Sequence, residues 1–131
     1  MKILIVDDDS TSRLLLQGIL KNYGNSDLAI TGKEAVSAVE IALAAGEPYN
    51  LICMDIMMPE MNGSEAVHKI RQIEKLQNIP KEKLVKIMMV TTKADKDTII
   101  SCIKLGADDY IIKPFDGEKI LKKIEKYINI S

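Results

Sequence analysis

Excess charge of either sign is missing from this chain: 18 lysines and arginines face 19 aspartates and glutamates, a formal net charge of −1. Wholesale nucleic-acid binding, which rests on a basic excess, is therefore not expected. Long apolar runs are missing too, none approaching the roughly 18 residues of a membrane span. Met1-Lys2 leads at once into Ile3-Leu4-Ile5-Val6 and three aspartates, too short and too acidic for a signal peptide. Cysteine is scarce. Cys53 and Cys102 lie far apart without CxxC spacing, and His68 is the only histidine, so no Cys/His metal cluster can form. Each cysteine sits among apolar neighbours, which predicts buried, reduced thiols in a cytoplasmic protein. The phosphate-cradling patterns GxGxxG and GxxxxGK[ST] are absent, and Thr31-Gly32-Lys33-Glu34 lacks the preceding glycine of a P-loop. That argues against a nucleotide- or flavin-binding module.

What is present is the composition of a soluble globular domain, 47% apolar and 28% charged over 131 residues. No internal repeat, low-complexity stretch or linker divides it, so one domain over residues 1–131 is expected. Short apolar runs at Ile3–Val6, Leu28–Ile30, Leu51–Met54, Ile87–Val90 and Tyr110–Ile112 alternate with amphipathic stretches. The first, third and fourth runs are almost continuously apolar, as strands covered on both faces must be. Between them the period becomes helical. Leu16, Ile19, Leu20 and Tyr23 precede Gly24 as a stop; Ala35, Ala38, Val39 and Ala42 follow a capping box at Thr31–Glu34. Asn62 caps a helix through Val67, Ile70 and Ile73. Ile99, Cys102 and Ile103 mark a fourth helix, and Leu121, Ile124 and Ile128 a fifth after Asp116. Pro80 breaks the pattern in a surface loop over residues 77–83. Five strands and five helices in strict alternation predict an α/β fold with a doubly wound parallel sheet.

In such sheets ligands bind beyond the carboxyl ends of the strands, where strand order reverses. The residues there are Asp7-Asp8-Asp9, Asp55, Thr91-Thr92 and Lys113-Pro114. Clustered carboxylates repel unless a cation neutralises them, and hard oxygen ligands with open positions suit Mg²⁺. A carboxylate can itself attack phosphorus. Lys113 and a threonine of the fourth strand could then stabilise the negative product. Either Asp9 or Ser10 is expected to cap the first helix. Taken singly, each of these residues reads equally as a turn, a cap or an ordinary strand residue. Their convergence on one rim makes the chemical reading the stronger.

The segments Ile3–Ser10, Asp55-Ile56-Met57-Met58-Pro59-Glu60-Met61-Asn62-Gly63, Val90-Thr91 and Gly106–Tyr110 leading to Lys113-Pro114-Phe115 resemble the bacterial two-component response-regulator receiver domain, of the stand-alone chemotaxis or phosphorelay type. The resemblance implies a flavodoxin-like (βα)5 fold with strand order 2-1-3-4-5. It implies phosphorelay signal transduction: Asp55 as phosphoacceptor, Mg²⁺ held by Asp7, Asp8, Asp55 and the Met57 backbone carbonyl, and Thr91 and Lys113 stabilising the phosphoryl group. Thr91 and Tyr110 would switch, and the Lys113–Pro114 peptide would be cis. Implied partners are a sensor histidine kinase or a His phosphotransfer protein, and a downstream target on the face of helix 4, strand 5 and helix 5. No direct nucleic-acid contact or membrane insertion is expected, and the chain would be a monomer or a phosphorylation-dependent weak dimer. It would catalyse only its own phosphorylation and dephosphorylation. A phosphatase or mutase with an aspartate nucleophile would need an acid–base residue and a cap domain, for which there is little room.

Thr92 departs from the family pattern, which has a small residue there, and could narrow access to the site. The stretch between Asp55 and Thr91 is also several residues longer than usual. Lys119, Lys122, Lys123 and Lys126 form a basic stripe, read first as a solvated face and alternatively as a dock for an acidic partner. His68 reads as a surface residue. With no effector domain after the fifth helix, a stand-alone protein is expected, and the N-terminal receiver of a longer regulator would read identically.

Overall fold

The computed structural model describes residues 1–92 and 96–127. Its elements are β1 (Lys2–Val6), α1 (Ser10–Leu20), β2 (Asn25–Ala29), α2 (Gly32–Ala44), β3 (Leu51–Met54) and α3 (Gly63–Leu76). A 3-10 turn at Lys81–Lys83 leads to β4 (Lys86–Thr91), α4 (Lys96–Leu105), β5 (Asp109–Ile112) and α5 (Gly117–Tyr127). All pairings are parallel and the order is β2-β1-β3-β4-β5, the flavodoxin-like arrangement. Ile128 and Ser131 lie outside the described residues.

Alternation along the central strands builds a core on each side of the sheet. Leu4, Val6, Ile52 and Met54 face α2, α3 and α4, whereas Ile3, Ile5, Leu51 and Cys53 face α1 and α5. This two-sided burial is why β1, β3 and β4 read as unbroken apolar runs.

The helix starts follow from local chemistry. Asp9 caps α1 by accepting from Thr11 N–H, so Asp9 and not Ser10 fills that role. Thr31 caps α2 through Glu34 N–H at 3.1 Å, while the Glu34 carboxylate reaches back to Ile30 N–H at 3.3 Å, one residue before the usual capping-box partner. Asn62 caps α3 through Glu65 N–H, and Asp116 accepts from Lys119 N–H at the start of α5. Each such cap is worth about 1 kcal/mol.

Two expectations need correcting. The second strand is not Leu28–Ile30 but Asn25–Ala29. As the outermost strand it is solvated and mostly polar, so its position is fixed by pairing with β1, Lys2 opposite Asn25 through Val6 opposite Ala29. Gly24, read as the C-terminal stop of α1, lies beyond a turn, since the helix ends at Leu20. Its glycine is required by close approach: a Cβ there would collide with the Met1 carbonyl. The 77–83 loop is as expected, exposed apart from half-buried Ile79, with Asn78 in the left-handed region at φ 54°.

Both cysteines are buried, and burial pushes the Cys53 thiol up to about 12 and raises Cys102 in the same direction. Little thiolate is available to react. A colourless-to-yellow disulfide exchange reagent at pH 8 is expected to label neither cysteine in the folded protein, and both in denaturant. Fast labelling of Cys53 under native conditions would contradict this packing.

Candidate functional site

Five polar side chains meet at the carboxyl ends of β1, β3, β4 and β5. Asp7 directly follows β1, held by its own N–H on the Ala29 carbonyl at 3.1 Å, and Asp55 directly follows β3, held on the Val6 carbonyl at 2.9 Å. Thr91 ends β4 fully buried, and its carbonyl receives Lys113 N–H at 2.8 Å just beyond β5. The ladder of the sheet therefore brings together residues separated by up to 106 positions. Asp8 stands beside them, exposed.

Their bonds define the site's electrostatics. Lys113 Nζ donates to Asp7 Oδ2 at 2.6 Å and lies 3.6 Å from Asp55 Oδ2. Asp7 Oδ1 accepts Asp9 N–H at 2.9 Å, and Asp55 Oδ1 accepts Ile56 N–H at 2.7 Å. The neighbouring Thr91 hydroxyl favours the ionised form of Asp55. Burial raises the Asp55 carboxyl above its ordinary value; the Lys113 charge opposes this and the Asp7 charge reinforces it. For Lys113, burial alone would lower the ammonium, but the bond to Asp7 and the charges of Asp55 and Asp7 prevail and raise it. The ammonium therefore stays charged.

One oxygen from each of Asp7, Asp8 and Asp55 lies within 4.8 Å of the others. A single ammonium cannot neutralise three carboxylates, and the donor set is entirely hard oxygen, so the group fits a small divalent cation. Asp9 is not part of it. Its carboxyl is spent on Ser12 Oγ at 3.0 Å and Thr11 N–H at 3.2 Å, bonds that hold its pKa below the ordinary range.

The structure spreads the remaining predicted residues over the rim and the α4–β5–α5 face. Met57 lies in the β3–α3 loop with its side chain exposed, and Thr92 is exposed at the rim just past Thr91. The Lys113–Pro114 peptide is cis. Tyr110 is half-buried on β5, beneath Lys123 Nζ, which sits 4.6 Å from its ring centre and donates to the Tyr110 carbonyl at 2.6 Å. One lysine of the basic stripe is thus tied to the aromatic residue, while Lys119, Lys122 and Lys126 remain exposed. A groove lined by Lys96, Ile99, Ile100, Ile103, Lys104 and Tyr110 runs along α4 and β5. His68 is exposed on α3, away from the cluster.

Sequence reasoning did not single out Gly63 or Arg13. Gly63 N–H donates to the Ile56 carbonyl at 2.8 Å, and a Cβ at this position would strike the Asp55 carbonyl. Only glycine lets α3 start this close behind the acid. Arg13 Nη1 donates to the Asp7 carbonyl at 2.7 Å. A cation one turn into the helix after an acidic loop was the available signal.

Comparison with known proteins agrees with this geometry. Residues 3–125 match the family model described as the response regulator receiver domain. Among curated proteins, a chemotaxis protein CheY homolog of Campylobacter jejuni is 36% identical over 125 residues, covering 95% of this chain and 90% of the relative. Chemotaxis protein CheY1 of Helicobacter pylori is 35% identical, covering 95% and 94%. Among solved structures, the CheX–CheY–BeF3–Mg complex of Borrelia burgdorferi aligns with TM-score 0.82 and 25% identity, over 96% of this chain and 87% of the other. The receiver domain of sensor histidine kinase PA1611 of Pseudomonas aeruginosa, with magnesium coordinated in its active-site cleft, aligns with TM-score 0.79 and 25% identity, over 98% of each. With sequence, strand order and relatives in agreement, the chain belongs to the response regulator receiver domain family, as a CheY-like member that works in phosphorelay signalling.

Proposed function

We propose that residues 1–131 form one receiver domain, in which Asp55 takes a phosphoryl group from a histidine kinase or a His phosphotransfer protein in the cytoplasm. The observation that carries this is Lys113 Nζ poised between Asp7 Oδ2 at 2.6 Å and Asp55 Oδ2 at 3.6 Å, within a cluster of three acids. Asp7, Asp8, Asp55 and the Met57 carbonyl would hold Mg²⁺, which supplies charge neutralisation and a template for phosphoryl oxygens when bound. The Asp55 carboxylate forms the new O–P bond as the donor's bond to phosphorus breaks, and the leaving group departs with the donor. Lys113 stays charged and pairs with the added oxygens. The Thr91 hydroxyl turns toward them. Catalysis is positioning and charge stabilisation, directed at the protein's own side chain and not at a turnover substrate.

The added charge biases a two-state equilibrium. Thr91 and Tyr110 would carry the change from the rim to the face of α4, β5 and α5, where a target protein docks. Thr92, exposed beside Thr91, would modulate access of water or donor. Incubation with Mg²⁺ and acetyl phosphate or phosphoramidate is expected to add one phosphoryl group, mapped by peptide mass spectrometry to the segment holding Asp55. Loss of the adduct in excess chelator is expected. Mapping to another residue, or addition that ignores chelator, would overturn the assignment.

A further inference from the structure

Arg13 has no place in the chemistry above, yet it holds the loop on which that chemistry depends. Its backbone N–H bonds the Asp9 carbonyl at 3.1 Å in the first turn of α1. Its side chain turns back across the loop, and Nη1 donates to the Asp7 carbonyl at 2.7 Å. One residue thereby clamps both ends of Asp7-Asp8-Asp9. Asp7 is also held by its side chain, through Asp9 N–H and Lys113. Asp8 is different. Among the described residues nothing bonds its exposed carboxylate, so its place within 4.8 Å of the other acids is set by the backbone alone. That backbone is the segment Arg13 spans.

We propose that Arg13 is a positioning residue for the cation site, fixing the loop so that Asp8 stays aligned with Asp7 and Asp55. This rests on the Mg²⁺ reading above. Arg13 also carries a positive charge, with Nη1 on the Asp7 carbonyl, and the two effects have opposite signs. If its charge dominates, removing it tightens divalent-cation binding, because one repelling cation is gone. If positioning dominates, removing it weakens binding, because Asp8 is no longer held.

The test is Mg²⁺ binding by calorimetry to the parent, Arg13→Gln and Arg13→Lys, with thermal melts in chelator reporting folding. Arg13→Gln is expected to bind on the order of tenfold more weakly. Arg13→Lys, which keeps a donor, should lie between it and the parent. In phosphorylation by acetyl phosphate, the half-saturating Mg²⁺ concentration should rise in parallel while the rate at saturating Mg²⁺ stays near that of the parent. A purely structural role would move the melt and leave these readouts alone. Arg13→Met, which keeps the packing of the stem, repeats the comparison should the Gln variant unfold. Equal or tighter Mg²⁺ binding by a folded variant overturns the role of Arg13. A parent that binds no Mg²⁺ overturns the cation reading itself, and this inference with it.

Discussion

Asp55→Asn is expected to abolish phosphoryl incorporation and, in chelator, to raise the melting temperature by a few degrees. The first effect follows because the amide cannot form the O–P bond, and among the described residues no other acid at the rim shares its place beside Lys113 and Ile56 N–H. Asp7 is engaged by Lys113 at 2.6 Å and Asp9 N–H at 2.9 Å, and Asp8 lies exposed at the edge. The second effect follows from the raised Asp55 carboxyl, whose burial, helped by Asp7, outweighs the attraction of Lys113. A carboxyl whose folded pKa exceeds its unfolded value destabilises the fold when ionised. That penalty is fully present at neutral pH and is relieved as pH falls through the raised value. The gain from asparagine should therefore be largest near neutrality and vanish in acid, where both chains are uncharged at this position. Lys113 keeps Asp7 in the variant, so no ammonium is stranded. Excess Mg²⁺ should reverse the order, stabilising the parent more than the variant. Thermal melts at several pH values, with chelator and with Mg²⁺, read both signs. A variant that melts below the parent in chelator at neutral pH would show that Asp55 serves as a net stabilising ion-pair partner.

Much of this site was legible in the sequence because its chemistry sits at strand ends. Asp7, Asp55, Thr91 and Lys113 each follow or close an apolar run, and a parallel sheet aligns such ends whatever the loops between them do. The position directly after the apolar run, with the family spacing to Lys113, then chose Thr91 over Thr92; in the structure Thr91 is 0% exposed and Thr92 lies at the surface. Central strands were equally plain, since burial on both faces leaves no ambiguity of phase. The edge strand was not. Asn25-Ser26-Asp27 carries no apolar signal, and only its register against β1 defines it. Distances between the acids and the reach of Arg13 across the loop are also beyond sequence, because they depend on how a side chain folds back over main chain.

A larger omission lies at the opposite end of the sheet. Arg71 Nη1 meets Glu74 Oε1 at 2.6 Å, its Nη2 meets Asp108 Oδ2 at 3.1 Å, and its Nε donates to the Gly106 carbonyl at 2.9 Å. In sequence, Arg71 and Glu74 look like an ordinary surface pair three residues apart on a helix. The missed clue was phase. Val67, Ile70 and Glu74 are all buried, so a glutamate continues the inward stripe of α3. An acid in that position requires a partner, and here the partner draws in Asp108, 37 residues further on.

Breaking that network should cost the protein much of its stability. Glu74 is 4% exposed, and its second oxygen accepts Val85 N–H at 2.8 Å, while Asp108 accepts Ile87 N–H at 2.8 Å. The cluster therefore ties α3 to the start of β4 and to the turn entering β5. Arg71→Met leaves the buried Glu74 carboxylate without its counter-charge, which is expected to cost about 3–5 kcal/mol in urea unfolding. Glu74→Gln keeps an acceptor for Val85 N–H and should cost only about 1 kcal/mol. The double variant Arg71→Met, Glu74→Leu should lose less than Arg71→Met and Glu74→Leu combined, since the buried Glu74 charge is then gone and only the more exposed Asp108 loses its counter-ion. Because Val85, Ile87 and Asp108 flank the amino-terminal ends of β4 and β5, Asp55, the proposed phosphoacceptor, lies at the far end of the strands. Folded Arg71→Met should therefore still take up phosphoryl groups in a Mg²⁺-dependent way. An unfolding midpoint close to that of the parent would show that solvent, and not the ion network, satisfies Glu74.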